Sequence, residues 1–499
     1  MPNPLPQSHQ PLDALHTAAR DIFGYSLDHC NIGEAFDRHL HFEDATLVHH
    51  PYPGLQQILK PVRISLDEFR HIRIIAIGKA AAPMLDALLT RLPAKLSYRA
   101  ICASPEKKPA YSWRIQHFAA GHPRPNQESF NAARAALRML GKAQENTFVF
   151  FLISGGGSAM LELPLDENIS LDDTIAFHEA LINSGATIHE MNVVRKHFSA
   201  VKGGRLALAA PLATKLTLQI ADVPLRSLDA LASGPTIPDR STSAECREIL
   251  DRYHLLDRLP VSIRTFFAAA HLAETPGNKA PAATGSLPAS ATAALRSVLR
   301  PRLRVDTPPP PAGFGSLYLD TLLSSHDLVN AARDRAQQLG FKVVIDNACD
   351  DWDYADAARY LTRRLQELRL QHPRLCLISA GEVTVKVVDP PGGKAGTGGR
   401  NQQFALACAL ALAERPDQPA CVFSAGTDGV DGNSPVAGAI ADSTTVARSA
   451  ALNFNAQQSL ESFDACPLFS ALGDTVVTGP TGHNLRDLRL LLCSPVNQG

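Results

Sequence analysis

The residues of this chain that could do chemistry sit in glycine-rich turns. Ser154-Gly155-Gly156-Gly157-Ser158 follows the apolar run at 147–153 and precedes a helical pattern. Three glycines there let backbone N–H groups approach an anion, and the start of the next helix favours negative charge. A tight turn without a ligand accounts for the same residues equally well. A dinucleotide fingerprint and a hydrolase elbow both need glycine at 160, where Met160 stands, so neither fits. Lys79, in Gly78-Lys79-Ala80-Ala81, lies just past an apolar strand at a helix start. The helix dipole disfavours a cation there unless an anion is present; the alternative is a solvated lysine. The Gly-Lys pairs at 78–79, 141–142 and 393–394 are each followed by Ala, so there is no Walker A loop. Lys142 and Lys394 read as solvent-facing.

Segment 188–206, IHEMNVVRKHFSAVKGGRL, gathers Asn192, Arg195, Lys196, Lys202 and Arg205 around Gly203-Gly204. On one continuous helix Arg195 and Lys202 would differ by about 20° in azimuth and present two cations to one anion; a solvated helix face is the alternative. His197 has no cysteine companion and reads as a hydrogen-bonded imidazole. In Gly398-Gly399-Arg400-Asn401 an arginine stands at a glycine-softened helix entry, where it can grip a carboxylate or phosphate bidentately. Asp428 and Asp431 are three residues apart in GTDGVDG. That spacing fails for a calcium loop, and two oxygens plus waters suit Mg²⁺ better. The loops at 121–126 and 478–484 are explained by turn chemistry as well as by function.

These turns need elements to hold them. Apolar runs at 73–77, 147–153, 216–220 and 421–424 each enter a small-residue turn. Strands alternating with helical patterns predict βαβ units and a largely parallel sheet, with ligands outside the carboxyl ends of its strands. The continuous apolar run 148–153 predicts a strand buried on both faces. Residues 12–69 read as mostly helical with breaks around 50–54, and 317–339 as helical. Residues 342–345 read as a strand and 352–370 as a helix. Two β-rich runs, 374–380 and 383–388, flank Gly381-Glu382. The Pro-, Ala-, Gly- and Ser-rich stretch 275–316 reads as an exposed insertion, with one helix near 290–299.

A length of 499 residues predicts two or three domains. Lys and Arg total 48 against 49 Asp and Glu, a balance that excludes a broad basic grip on nucleic acid. Nine cysteines without a Cys-x-x-Cys pair exclude zinc ribbons and thioredoxin-type motifs and argue against a disulfide scaffold. No run approaches ~20 apolar residues, and the opening MPNPLPQSHQPLD lacks a signal peptide's basic and apolar regions. The expectation is a reduced cytoplasmic protein without a membrane partner.

Taken in order, GKAA at 78–81, GHPRPN at 121–126, ISGGGSA at 153–159 and NVVRKHFSAVKGGRLA at 192–207 resemble the class-II glycerate 2-kinases. So do ALASGPT at 230–236, SAGEVTV at 379–385, GTGGRNQQ at 396–403, GTDGVDG at 426–432 and TGPTGHN at 478–484. The resemblance runs from about residue 12 to 490. It implies an α/β fold of two α/β domains with the site in the cleft between them. The first, 12–345, would be a Rossmann-like three-layer parallel sheet carrying the 275–316 insertion; the second, 372–491, a smaller mixed-sheet MOFRL-type domain. The implied reaction moves the γ-phosphate of ATP to the 2-hydroxyl of D-glycerate, with Mg²⁺, giving 2-phosphoglycerate and ADP in a monomer or homodimer.

The same resemblance makes Lys79 and Arg400 catalytic. Beside them, nucleotide or substrate contacts are expected of Ser154, Gly155, Gly156, Gly157, Ser158, Asn192, Arg195, Lys202, Gly203, Glu382 and Asn401, and metal contacts of Asp222, Asp428 and Asp431. One block departs: where the family shows SDVxGD, this chain reads ADVPLRSLD at 221–229, keeping Asp222 and regaining a carboxylate only at Asp229. Two other readings stay open. An NAD(P)-dependent hydroxypyruvate reductase, an older label of this class, lacks its complete glycine fingerprint here. A non-catalytic sugar-acid binding protein would keep the Arg and Lys clusters without needing metal carboxylates.

Overall fold

The computed structural model describes residues 10–52, 62–106, 112–269, 272–278, 314–387 and 395–495. Most of the expected insertion, including the helix near 290–299, lies outside the described residues, as do Lys394 and position 388. The chain divides into two compact units, Ala35–Leu322 and Met1–Glu34 with Leu323–Gly499.

The first unit opens with three short antiparallel strands, β1 (Leu40–Glu43), β2 (Thr46–His49) and β3 (Val62–Ser65). Residues 40–65 were expected to be mainly helical. Their short runs alternate buried and exposed positions, as in VRIS, and Asp44 adopts the positive φ of a two-residue hairpin turn. Four-residue strands carry too few periods to declare themselves against a helical neighbourhood.

The main sheet follows: β4 (His71–Ile77), β5 (Tyr98–Ser104), β6 (Ile115–Ala119), β7 (Thr147–Ile153), β8 (Thr214–Ile220) and β9 (Leu317–Leu323), in the order β6-β5-β4-β7-β8-β9. From β6 to β8 all neighbours are parallel. All seven residues of β7, TFVFFLI, are buried, because helices cover both faces of such a sheet. One face packs Ile75, Phe151 and Ile153 against Ala132, Ala133 and Ala136 of helix Gln127–Leu140. β9 was expected to be helical; it lies instead beside β8, where Lys215 N–H donates to the Ser316 carbonyl at 2.8 Å. A seven-residue, mostly apolar stretch does not choose between helix and strand without its partner.

The second unit holds β10 (Lys342–Ile345), β11 (Leu375–Ala380), β12 (Ala420–Gly426), β13 (Gly438–Asp442), β14 (Thr475–Val476) and β15 (Asp487–Cys493), ordered β10-β11-β15-β12-β13-β14. β10 and β11 are parallel, and β15 runs antiparallel to both β11 and β12. The carboxyl ends of β11 and β12 therefore flank the start of β15, with Ala380 opposite Leu488 and Gly426 opposite Asp487. Helix Arg400–Leu412 puts Phe404 and Cys408 into one core and Ala405, Leu406 and Ala409 into another, as a segment apolar on nearly every side must. The second β-rich run, at 383–388, forms no strand among its described residues. It makes only a bridge from Thr384 to Asp353.

The boundary expected at 345 is displaced. β10 belongs to the second sheet, and helix Gln10–His29 also joins this unit. Its Phe23 ring lies 4.9 Å from Phe423 of β12, and its Asp21 pairs with Arg335 at 2.7 Å. The physical reason is the apolar stripe Leu15, Ala19, Ile22 and Phe23, which needs a sheet face to bury. All nine cysteines are buried and outside any disulfide, and no described helix is long and apolar enough to cross a membrane. Phe23→Ala should cost about 3–5 kcal/mol. Hydrogen exchange should accelerate across β12 while the amides of β7 keep their protection; equal loosening in both sheets would contradict this division.

Candidate active site

In the first unit the register sets the site. Ile77 stands opposite both Ala103 and Ile153, so the turns after β4 and β7 leave the sheet at one level. They are stitched together: Lys79 N–H donates to the Gly155 carbonyl at 2.8 Å, and Ala80 N–H to Ser154 Oγ at 3.0 Å. Ser154 is thus a buried tie between the two loops rather than an exposed donor.

Glycine is required where side chains crowd this turn. A Cβ on Gly155 would overlap the Asp222 carboxylate, and one on Gly156 (φ +81°) would sit 2.9 Å from the His122 ring and 3.3 Å from Lys79 Cγ. The loop SGGGS is therefore ringed by Lys79, His122 and Asp222, from the turns after β4, β6 and β8. Lys79 and Asp222 are partly exposed. Protein packed around the still accessible ring, and the neighbouring Lys79 charge, push the His122 imidazole down to about 4, so it is neutral at neutral pH. Sequence reasoning left His122 to turn chemistry; its signal was the GHPRPN block itself.

Helix Ile188–Phe198 starts with a capping box, Thr187 with Glu190, and ends at Phe198. Arg195 and Lys202 are therefore not on one helix, and the azimuth expected for them does not apply. Lys202 lies in the turn beyond, 1% exposed, its Nζ 2.6 Å from Glu162 Oε2. Glu162 also takes His178 Nε2 at 2.9 Å. Burial pushes the Glu162 carboxyl up, but Lys202 and His178 outweigh it and hold it at about 2. Gly203 and Gly204, both at positive φ, bond through their N–H groups to the Ser233 and Gly234 carbonyls. Asn192 Oδ1 accepts from Ser233 Oγ at 2.9 Å, and Ser233 Oγ lies 2.8 Å from Ser158 Oγ. Asp229, the carboxylate regained in the departing block, is tied to Lys196 at 3.1 Å, and Asp239 holds the same ammonium at 2.9 Å.

In the second unit Arg400 opens helix Arg400–Leu412. Its Nε and Nη2 donate to the two Asp487 oxygens at 2.5 and 2.9 Å, and Nη2 reaches Glu382 Oε1 at 2.9 Å. Burial works against the charge, but Asp487 and Glu382 outweigh it and raise the Arg400 pKa further. Asp487 is fully buried and was not anticipated; its signal lay just past the TGPTGHN block.

In the second unit, Asp428 and Asp431 have different settings. Asp431 caps the helix: its Oδ1 accepts from Asn401 N and Nδ2, and its Oδ2 from Gln402 N and Nε2, at 2.9–3.3 Å. Those four donors occupy its acceptor sites. Asn401 is likewise turned inward, with Ser424 Oγ on its Oδ1 at 2.6 Å. Asp428 stays near Asp487, since a Cβ on Gly426 would stand 3.3 Å from an oxygen of each. Among the described residues no three His, Cys, Asp or Glu side chains gather as a metal cluster.

An α/β protein with an anion-suited glycine turn at its strand ends is the class these features define. Residues 18–268 match the family described as a domain of unknown function, DUF4147, and residues 375–487 the MOFRL family. A glycerate 2-kinase of Pyrococcus horikoshii is 33% identical over 423 residues, covering 84% of this chain and 86% of that protein. A protein of Agrobacterium vitis named as a hydroxypyruvate reductase is 33% identical over 420 residues, 84% of this chain and 86% of its own length. The crystal structure of a glycerate kinase from Thermotoga maritima matches with a TM-score of 0.73 at 28% identity, covering 96% of this chain and all of that one. This chain belongs to the MOFRL-type, class-II glycerate kinase family.

Lys79→Met should raise the His122 pKa from about 4 toward its ordinary value, stopping short because desolvation remains. Ring-proton NMR titration reads this directly, and an unmoved pKa would show that the two side chains do not sense each other.

Proposed function

We propose that this protein is a glycerate 2-kinase, transferring the γ-phosphoryl group of ATP to the 2-hydroxyl of D-glycerate in the cytoplasm. The observation that carries the reading is the convergence of Lys79 and Asp222 on the glycine turn at 154–158. Phosphoryl transfer asks mainly for positioning and charge neutralisation, because the charge of the transition state spreads over the equatorial oxygens. A flexible ammonium beside backbone N–H groups of a glycine turn suits the phosphates of the nucleotide. Lys79 is assigned to the transferring group and Arg400 to the second cationic contact. Asp487 keeps the guanidinium in one orientation, so its remaining Nη1 edge can meet an oxyanion. A magnesium ion carried in with ATP would supply neutralisation of the phosphate oxygens. Asp222, against Gly155, and Asp428 have the single-carboxylate chemistry that such an ion uses alongside phosphates and waters. Nine buried thiols outside any disulfide suit a reducing compartment.

Lys79→Ala and Arg400→Ala should each lower kcat/KM for D-glycerate by about 100-fold or more, near 2.7 kcal/mol of transition-state stabilisation. Steady-state kinetics on folded variants checks this, and turnover close to that of the parent enzyme would remove the role from that residue. The position of phosphorylation is read by coupling to enolase and pyruvate kinase without a phosphoglycerate mutase. Direct signal is the expected result and identifies 2-phosphoglycerate; a signal that waits for added mutase would identify the 3-phosphate instead.

A further inference from the structure

The glycine turn is backed by more positive charge than the carboxylate behind it can neutralise. Glu162 is fully buried and holds Lys202 at 2.6 Å. Its other partner, His178, is kept neutral at neutral pH by burial. Arg195, 9% exposed, also feels the charge of Glu162. Two cations thus share one anion, and a single positive charge is left over.

The hydrogen bonding of that arginine is unfinished. Its Nη1 reaches Asn192 Oδ1 only at 3.5 Å, and its Nε has no acceptor. Asn192, 3% exposed and one turn earlier on the same helix, has Nδ2 buried without an acceptor as well. The amide cannot simply turn to water, because its Oδ1 is engaged by Ser233, which is joined to Ser158 of the glycine turn. Buried donors without acceptors are costly in a native fold. Here two of them stand with a surplus unit charge behind a hydroxyl of the glycine turn.

We propose that Arg195 and Asn192, reached past Ser158, form the carboxylate subsite for the 2-hydroxy acid. A planar monoanion matches both the single surplus charge and the fork of the guanidinium, which binds carboxylates through paired N–H groups. The polyphosphate of the nucleotide, with several charges, belongs on the Lys79 side of the same turn. This assignment rests on the glycerate kinase reading and adds which residues hold the acid end of the acceptor.

The test measures D-glycerate binding by calorimetry without nucleotide, and KM for each substrate, in the wild-type protein, Arg195→Met and Arg195→Lys. Arg195→Met should weaken D-glycerate roughly tenfold or more while KM for ATP stays within about twofold, and Arg195→Lys, with charge but no fork, should fall between. Should Arg195→Met fail to fold, Asn192→Ala carries the same expectation of selective loss. Unchanged glycerate binding in a folded variant, or ATP weakening in step with glycerate, overturns the subsite alone. A wild-type protein that neither binds nor phosphorylates D-glycerate overturns the kinase reading along with it.

Discussion

The in-register pairing of β4 with β7 is the constraint on which the site depends. Both strands are nearly continuous apolar runs, both are buried, and Ile77 pairs with Ile153 at their carboxyl ends. Because the two chains leave the sheet at one level, their turns can exchange hydrogen bonds, and Ser154 and Gly155 hold the backbone that presents Lys79. A one-residue slip would turn the strand's whole side-chain set over and separate the loops.

Charge in the two units follows one pattern: cations near the candidate residues are restrained by buried carboxylates. Asp487 holds Arg400, Glu162 holds Lys202, and Asp239 holds Lys196. Such pairs gain little net stability, since desolvating both charges offsets most of their attraction. Removing one partner, however, strands the other at a cost of about 3–5 kcal/mol. Their contribution is geometric, because a guanidinium clamped along one edge keeps its other edge in a fixed direction. Lys79 has a more open setting, partly exposed beside a neutral imidazole.

The departing block at 221–229 finds a structural explanation for part of its change. Asp222 keeps its place because Gly155 leaves room for its carboxylate. Asp229 answers Lys196 rather than the turn at 154–158, so the late return of a carboxylate completes an ion pair. The run Ala232, Ser233 and Gly234, all at positive φ, then carries Ser233 into contact with Ser158 and Asn192. Two non-glycine residues held in that region imply a conformation that the surrounding contacts over-determine.

Strand identity was legible wherever burial on both faces erased the periodicity, as at 147–153, 216–220 and 421–424. Local apolar density alone demands a sheet interior there. The loops were legible for a related reason: only small residues tolerate the close approaches at Gly155 and Gly156. What the sequence could not reveal were relations between distant residues. A strand such as Leu317–Leu323 is defined by its neighbour β8, and helix Gln10–His29 by a sheet that begins three hundred residues later. The roles of polar residues were equally hidden. Asp431 and Asp428 look alike in GTDGVDG, yet one caps a helix through four hydrogen bonds and the other remains partly exposed. Lys202 and Arg195 look like a paired grip on an outside anion, yet Glu162 claims the first. Sequence determined which residues could be buried and which turns could be tight, because those are local properties of side-chain size and polarity. Tertiary structure alone decided which charges face one another, because electrostatic partnership depends on distances that the chain's own spacing does not contain.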